Sequence, residues 1–360
     1  MFIRFNFTRF VKSLLIAAVV ALGIAQPTTV SAKTDFKVCW SIYVGWMPWG
    51  YLQDSGIMKK WAKKYGINVE IVQINDYVES INQYTAGKYD GCSMTNMDAL
   101  SIPAGGGVDS TALIIGDFSN GNDGIVMKGK GGLKALKDQK INLVELSVSH
   151  YLLARALDSV NLKEKDIKVV NTSDADMVAA YKTKDVQNVV TWNPLLSEIA
   201  ATPGSSVVFT SSKIPGEIID MMVVNTKTLK ENPKLGKALV GAWYELMGIM
   251  SKSDKAGIAA RMAMAKASGT DLKGYDAQLK TTKMFYLPKE GVAFAKSSDI
   301  TKTMDYVRKF LFSHGILGKG AKSPDYVGMA FPGGKILGDK GNVKLRFDPS
   351  FMAMAAEGKL

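Results

Sequence analysis

The chain has 360 residues, is 47% apolar and carries a formal net charge of +12, with 45 basic against 33 acidic side chains. The lysines are scattered, and no arginine-rich helix or aromatic–basic motif accompanies them, so the excess reads as a solvated basic surface and a nucleic-acid partner is excluded. The histidines, His150 and His314, lie far apart, and Cys39 and Cys92 have neither CxxC nor zinc spacing, which excludes a multi-histidine or zinc-finger metal site.

Residues 1–12 carry Arg4, Arg9 and Lys12 and no acid; an apolar run follows from Leu14 to Ile24, and Val30-Ser31-Ala32 supplies a small-residue cleavage site. This order predicts a secretory signal peptide over residues 1–32 and a periplasmic mature chain starting at Lys33. The apolar run is short for a permanent membrane span. Removing those three cations from +12 leaves +9. About 330 mature residues exceed one ordinary core and suit two lobes.

From there strands and helices alternate. Phe36–Ile42 reads as a strand, closed by a loop with Gly45, Pro48 and Gly50; residues 56–65 are an amphipathic helix, residues 69–74 a strand, 78–85 a helix, 89–94 a strand, 97–104 a helix and 112–116 a strand. The pattern then restarts, with strands at 124–127, 139–145, 167–171, 188–192 and 207–209 and helices at 150–159 and 175–183. A strand at 221–225 precedes a mainly helical remainder, with helices at 234–250, 255–267 and 299–314. Such alternation predicts an α/β fold with mixed, mostly parallel sheets. The expected organisation is one lobe of residues 33–123 and 222–360, with a second lobe, 124–221, inserted into it. Two hinge strands would join the lobes and let them close on a ligand.

In open α/β sheets ligands bind at the carboxyl ends of strands. Those ends offer Trp40, Tyr43, Trp46 and Trp49; Thr95, Asn96 and Asp98; Asp117, Ser119, Asn120, Asn122 and Asp123; Glu145, Ser147, Ser149 and His150; Trp192 and Asn193; and Glu217 with Asp220. Three of the six tryptophans fall within ten residues, Trp40 to Trp49. Trp40 and Trp46 either plug the core or wall the cleft; an aromatic wall beside carboxylates holds a cation or stacks on a flat neutral molecule. Ser147 or Ser149 caps the following helix, and capping and ligand binding can coexist there. His150 is structural or a donor at the cleft edge. Cys39 and Cys92 either pair or stay as two buried thiols. No nucleophile–base pair emerges from these residues, so no enzyme activity and no cofactor are expected.

Along this path the sequence resembles the nitrate/sulfonate/taurine-type periplasmic binding proteins of ABC importers, which share a fold with the thiamine-pyrimidine synthesis proteins. The resemblance is carried by Val38–Trp49 with its Pro48-Trp49-Gly50, by Gly87-Lys-Tyr-Asp90 and Met94-Thr-Asn-Met-Asp-Ala-Leu100, by Asp117-Phe-Ser-Asn-Gly-Asn-Asp123, by Ser147-Val-Ser-His150 and by Thr191-Trp-Asn-Pro194. It covers nearly all of the mature chain. Within the family the chain looks most like the branch associated with urea carboxylase-type enzymes. The resemblance implies a type II periplasmic binding protein, monomeric, serving an ABC permease and its ATPase, with guanidinium or urea as the leading ligand. It implies ligand contacts from Trp40 to Trp49, Thr95 with Asn96, Ser147 with Ser149, and Trp192. The expected binding set is therefore Trp40, Tyr43, Trp46, Trp49, Thr95, Asn96, Asp123, Glu145, Ser147, Ser149, His150, Trp192 and Glu217. Lysine and arginine are absent from every strand end above, which departs from what an anionic ligand needs. The alternatives are another small nitrogen or sulfur compound, such as a sulfonate or nitrate, and an enzyme of the pyrimidine-synthesis or desulfinase type on the same fold.

Overall fold

Four strands open the fold: β1 (Asp35–Trp40), β2 (Asn68–Gln73), β3 (Gly91–Thr95) and β4 (Ser110–Ser119). Five more, β5 (Asp123–Lys128), β6 (Lys140–Leu143), β7 (Lys168–Asn171), β8 (Asn188–Trp192) and β9 (Ser205–Thr210), make a separate sheet in the order β7-β6-β8-β5-β9. The last five, β10 (Ile219–Asn225), β11 (Thr282–Met284), β12 (Gly328–Ala330), β13 (Ile336–Leu337) and β14 (Val343–Phe347), rejoin the first four. This computed structural model describes residues 1, 33–318 and 320–360, and the signal peptide expected over 1–32 lies outside the described residues.

Burial explains the composition of the strands. β3, β8 and most of β4 are buried on both faces, whereas the edge strand β2 buries only Ile71 fully and exposes Asn68, Glu70 and Gln73. β1 pairs in parallel with β2 and β3, through the helices Ile57–Lys64 and Tyr77–Thr85, as βαβ units require. The chain leaves the larger sheet at the carboxyl end of β4 and re-enters at that same end in β10. β10 must therefore run antiparallel to both its neighbours, β3 and β4. This return makes the larger sheet evenly mixed rather than mostly parallel: β1–β2, β1–β3, β12–β14 and β14–β4 are parallel, and the pairs of β10, β11–β4 and β12–β13 are antiparallel.

The two passages between the sheets run from Ser119 to Asp123 and from Thr210 to Ile219. Asp123 thus starts the smaller sheet, and Met221 belongs to the larger one. Cys39 and Cys92 are direct partners in the β1–β3 register and form a disulfide, with their Cα atoms 4.4 Å apart.

Candidate ligand cavity

Between the sheets lies a small cavity lined by Tyr43, Trp46, Tyr77, Thr95, Asp123, Val148, Trp192, Ile218 and Asp220. The space open to the centre of a water-sized sphere is about 10 Å³, room for about one water molecule. A larger depression of about 660 Å³ follows the β1–β2 edge, away from the strand ends between the sheets, and Lys37 pairs with Glu70 there at 2.8 Å.

Register places the polar floor. Asp220 on β10 sits opposite Thr95 on β3 and opposite Asp117 on β4, so one row across the larger sheet carries Thr95, Asp220 and Asp117 on the same face. In the smaller sheet Asp123 at the start of β5 sits opposite Trp192 at the end of β8. Four rings line the remaining walls. Tyr43 meets Trp46 edge-on at 5.0 Å, Trp46 meets Tyr77 at 5.6 Å, and Tyr77 meets Trp192 edge-on at 5.5 Å between centroids. Trp46 is the N-cap of the helix Met47–Asp54, and Tyr77 the first residue of the helix Tyr77–Thr85, so both rings are fixed at helix starts. Gly45 permits this approach: a Cβ there would lie 2.5 Å from Tyr43 Cε1 and 2.7 Å from Asp117 Oδ2.

The carboxylates lack any counter-charge among the lining residues. Asp117 accepts from Tyr43 Oη at 2.8 Å, Asp123 from Ser119 Oγ at 2.5 Å, and Asp98, just behind Thr95, from Tyr77 Oη at 2.6 Å and Thr95 Oγ1 at 2.9 Å. Asp117 Oδ2, Asp220 Oδ2, Asp98 Oδ1 and the Trp46 indole N–H are buried without partners. Burial pushes Asp98 up to about 6 and both Asp117 and Asp123 up to about 7. Asp220 is raised well above the usual carboxylate range, first by burial and then by the charge of Asp117.

Of the expected residues, Tyr43, Trp46, Thr95, Asp123 and Trp192 meet at this cavity; the others face elsewhere. Trp49 stacks on Trp243 at 4.8 Å in the core, and Trp40 packs against Gly50. Asn96 braces the return passage, donating to Glu217 O at 3.1 Å and accepting from Ile219 N at 3.0 Å. Ser147 is the helix cap, accepting from Ser149 N at 3.2 Å, and Ser149 is buried beside Val148 without lining the cavity. Glu145 is exposed. Glu217 is held by Arg155 at 2.9 and 3.0 Å and by Tyr151 Oη at 2.5 Å, so its charge is already matched. His150 faces Glu164, at 3.1 Å. The expected set omitted Tyr77, which follows the end of β2; the strand-end rule reaches it when applied to that strand. Asp220 was visible at the return passage, and only its register with Thr95 and Asp117 promotes it over Glu217.

The residues from 40 to 265 match the model of the NMT1-like family. The chain belongs to that family. Among curated proteins no match is found. The alkanesulfonate-binding protein SsuA from Xanthomonas axonopodis pv. citri, solved with MOPS, is 14% identical and covers 80% of this chain and 96% of its own, with a TM-score of 0.65. The periplasmic aliphatic sulphonate binding protein SsuA from Escherichia coli is 16% identical, covering 79% of this chain and 94% of its own at a TM-score of 0.63. The periplasmic nitrate-binding protein NrtA from Synechocystis PCC 6803 is 14% identical, covering 91% and 99% at 0.58. The fold is that of the periplasmic binding proteins, as expected for this NMT1-like chain.

Proposed function

We propose that this NMT1-like protein is the periplasmic solute-binding component of an ABC importer, and that it captures a small, planar, donor-rich cation, guanidinium foremost, between two closing lobes. The observation that carries the reading is the cavity itself: Asp220 and Asp123 on its wall, Asp117 and Asp98 behind them, four aromatic rings, and no lysine, arginine or histidine among its described lining residues. A guanidinium ion donates in a fork to carboxylates and lies against aromatic faces. The names of the structural neighbours specify alkanesulfonates and nitrate for those proteins. An anion in this cavity would face buried carboxylates with no cation to offset them, a repulsion of several kcal/mol.

A second ligand has its own support. The unpartnered indole N–H of Trp46 on the cavity wall suits a carbonyl acceptor, which urea has and guanidinium lacks. Titration calorimetry on the mature protein with guanidinium, urea, nitrate and an alkanesulfonate tests the reading. Guanidinium binding, with urea weaker and both anions silent, is the expected result. At a hundredfold excess over its Kd the ligand should also raise unfolding stability by about 2.7 kcal/mol. Tight binding of nitrate or a sulfonate with no response to guanidinium or urea refutes it.

A further inference from the structure

Asp117 and Asp220 are direct cross-strand partners on β4 and β10, both on the cavity side of the sheet and both buried. Like charges in that relation repel, and among the described residues no lysine, arginine or histidine figures in the surroundings that shift the pair. Each keeps one oxygen, Oδ2, without a partner. The other groups facing the pair are Tyr43, which donates to Asp117, Thr95 on β3, Thr282 on β11, which meets Tyr43 Oη at 3.3 Å, and Asp123 from the smaller sheet. All are neutral donors except Asp123, which adds to the negative field. Two carboxyls so placed hold one proton between them while the cavity is unliganded.

We infer that Asp117 and Asp220 form a proton-sharing pair that selects the ligand's positive charge: a cation entering the cavity takes the place of the shared proton, whose bond to the carboxyl oxygen breaks and which leaves to solvent. The inference rests on the cation reading of the cavity and assigns it a mechanism. A neutral ligand leaves the proton where it is, and an anion finds no group able to neutralise it. Binding of the cation therefore strengthens as pH rises toward neutrality, because fewer protons compete.

The pair titrates without ligand as well, and this separates the two claims. A carboxyl whose folded pKa is raised above its unfolded value binds protons more tightly in the native state. Its contribution to stability is present at low pH and is lost as pH rises from about 4 toward and past neutrality. Asp220→Asn supplies a fixed N–H donor to Asp117 in place of the proton, so it keeps the shape of the pair and should fold; Asp117→Asn is the mirror variant.

Thermal unfolding of the ligand-free protein from pH 4 to 8 should show the wild type losing more stability with rising pH than Asp220→Asn. Superimposable slopes in wild type and both variants overturn the pair. Calorimetry with guanidinium at pH 7, in buffers of different ionisation enthalpy, should then show release of about one proton per ion bound. Asp220→Asn should release close to none and bind about tenfold more weakly, and urea should release none from the wild type. Guanidinium binding with no proton released, or with release unchanged in both variants, overturns the exchange. If guanidinium fails to bind at all while the ligand-free slopes differ as expected, the cation reading falls and the proton-sharing pair stands.

Discussion

Trp46 and Trp49 stand three positions apart, yet one is a wall of the cavity and the other stacks deep in the core. Trp46 is the N-cap of its helix and stands at the cavity; Trp49, one turn in, lies flat on Trp243 and is 1% exposed. The sequence shows a cluster of tryptophans and a helix-starting Pro48, but the rotation of that helix decides which ring meets ligand, and rotation depends on packing from Trp243, some two hundred residues away. Substitution should separate the roles. Trp46→Leu should weaken guanidinium binding about tenfold, since a desolvated cation–ring contact is worth on the order of 1–2 kcal/mol, with a smaller fall in melting temperature than Trp49→Ala. Trp49→Ala should cost about 3–5 kcal/mol of stability and leave the affinity of the folded fraction nearly unchanged. Calorimetry paired with thermal unfolding reads both, and the reverse pattern would show the two rings wrongly assigned. The acids obey the same logic. Glu145 and Glu217 sit at strand ends as plainly as Asp220 does, but one faces solvent and the other is neutralised by Arg155. A one-dimensional reading sees carboxylates; only the three-dimensional partner shows which are left unpaired.

At the scale of elements, apolar periodicity sufficed for most of the architecture. The helices expected at 234–250, 255–267 and 299–314 are found at Pro233–Met250, Lys255–Ala267 and Ser298–Ser313, and the strand expected at 188–192 is found there. What periodicity could not give is strand order. The position of β10 between β3 and β4 sets the row of Thr95, Asp220 and Asp117, and non-local pairing of that kind leaves no mark on the local pattern. The cysteines are a second instance: spacing left pairing open, whereas the parallel register of β1 and β3 sets Cys39 beside Cys92. Their bond closes 53 residues of chain. Loop-closure entropy for that length corresponds to about 4 kcal/mol of stability. Thermal unfolding of the oxidised protein, of the reduced protein and of the Cys39→Ala/Cys92→Ala variant should show the last two losing a substantial part of that figure, while ligand affinity stays put because neither cysteine lines the cavity. An unfolding midpoint indifferent to reductant would contradict this.

At the scale of the whole molecule, contacts cross around the cavity from one sheet's elements to the other's. Val44 N donates to Asn193 O at 3.1 Å, Trp192 Nε1 to Ile42 O at 3.0 Å, Ser173 Oγ to Asp76 Oδ2 at 2.6 Å, and Tyr77 N to Asp174 Oδ1 at 3.1 Å. Farther out, His314 at the end of the helix Ser298–Ser313 meets Glu164, which precedes β7, at 3.1 Å, while its Nδ1 faces Phe310 O at 2.8 Å. The Nδ1 also meets Ser313 Oγ at 3.0 Å, and protonation of His314 adds charge attraction to Glu164. His150 takes the Leu146 N–H on its own Nδ1, and its Nε2 lies 3.1 Å from the same carboxylate without a hydrogen bond. Hydrogen bonding to Glu164 raises the His314 pKa, with burial opposing and Asp158 assisting at longer range. A raised histidine pKa contributes stability fully present below about 6.5 and lost as pH climbs through the folded value. Because the contact crosses between the two proposed lobes, it favours the closed form, and ligand affinity should fall on the alkaline side. The carboxylate pair weakens binding on the acid side, so guanidinium affinity plotted against pH should pass through a maximum near neutrality. His314→Gln should flatten the alkaline limb and spare the acid limb, and Asp220→Asn should do the opposite. Small-angle scattering ties the profile to movement: saturating ligand at pH 7 should reduce the radius of gyration, and the reduction should shrink above the histidine's range in wild type only. A profile with no alkaline limb, or identical scattering with and without ligand, would mean that the Glu164 contact braces a rigid body rather than a closing one.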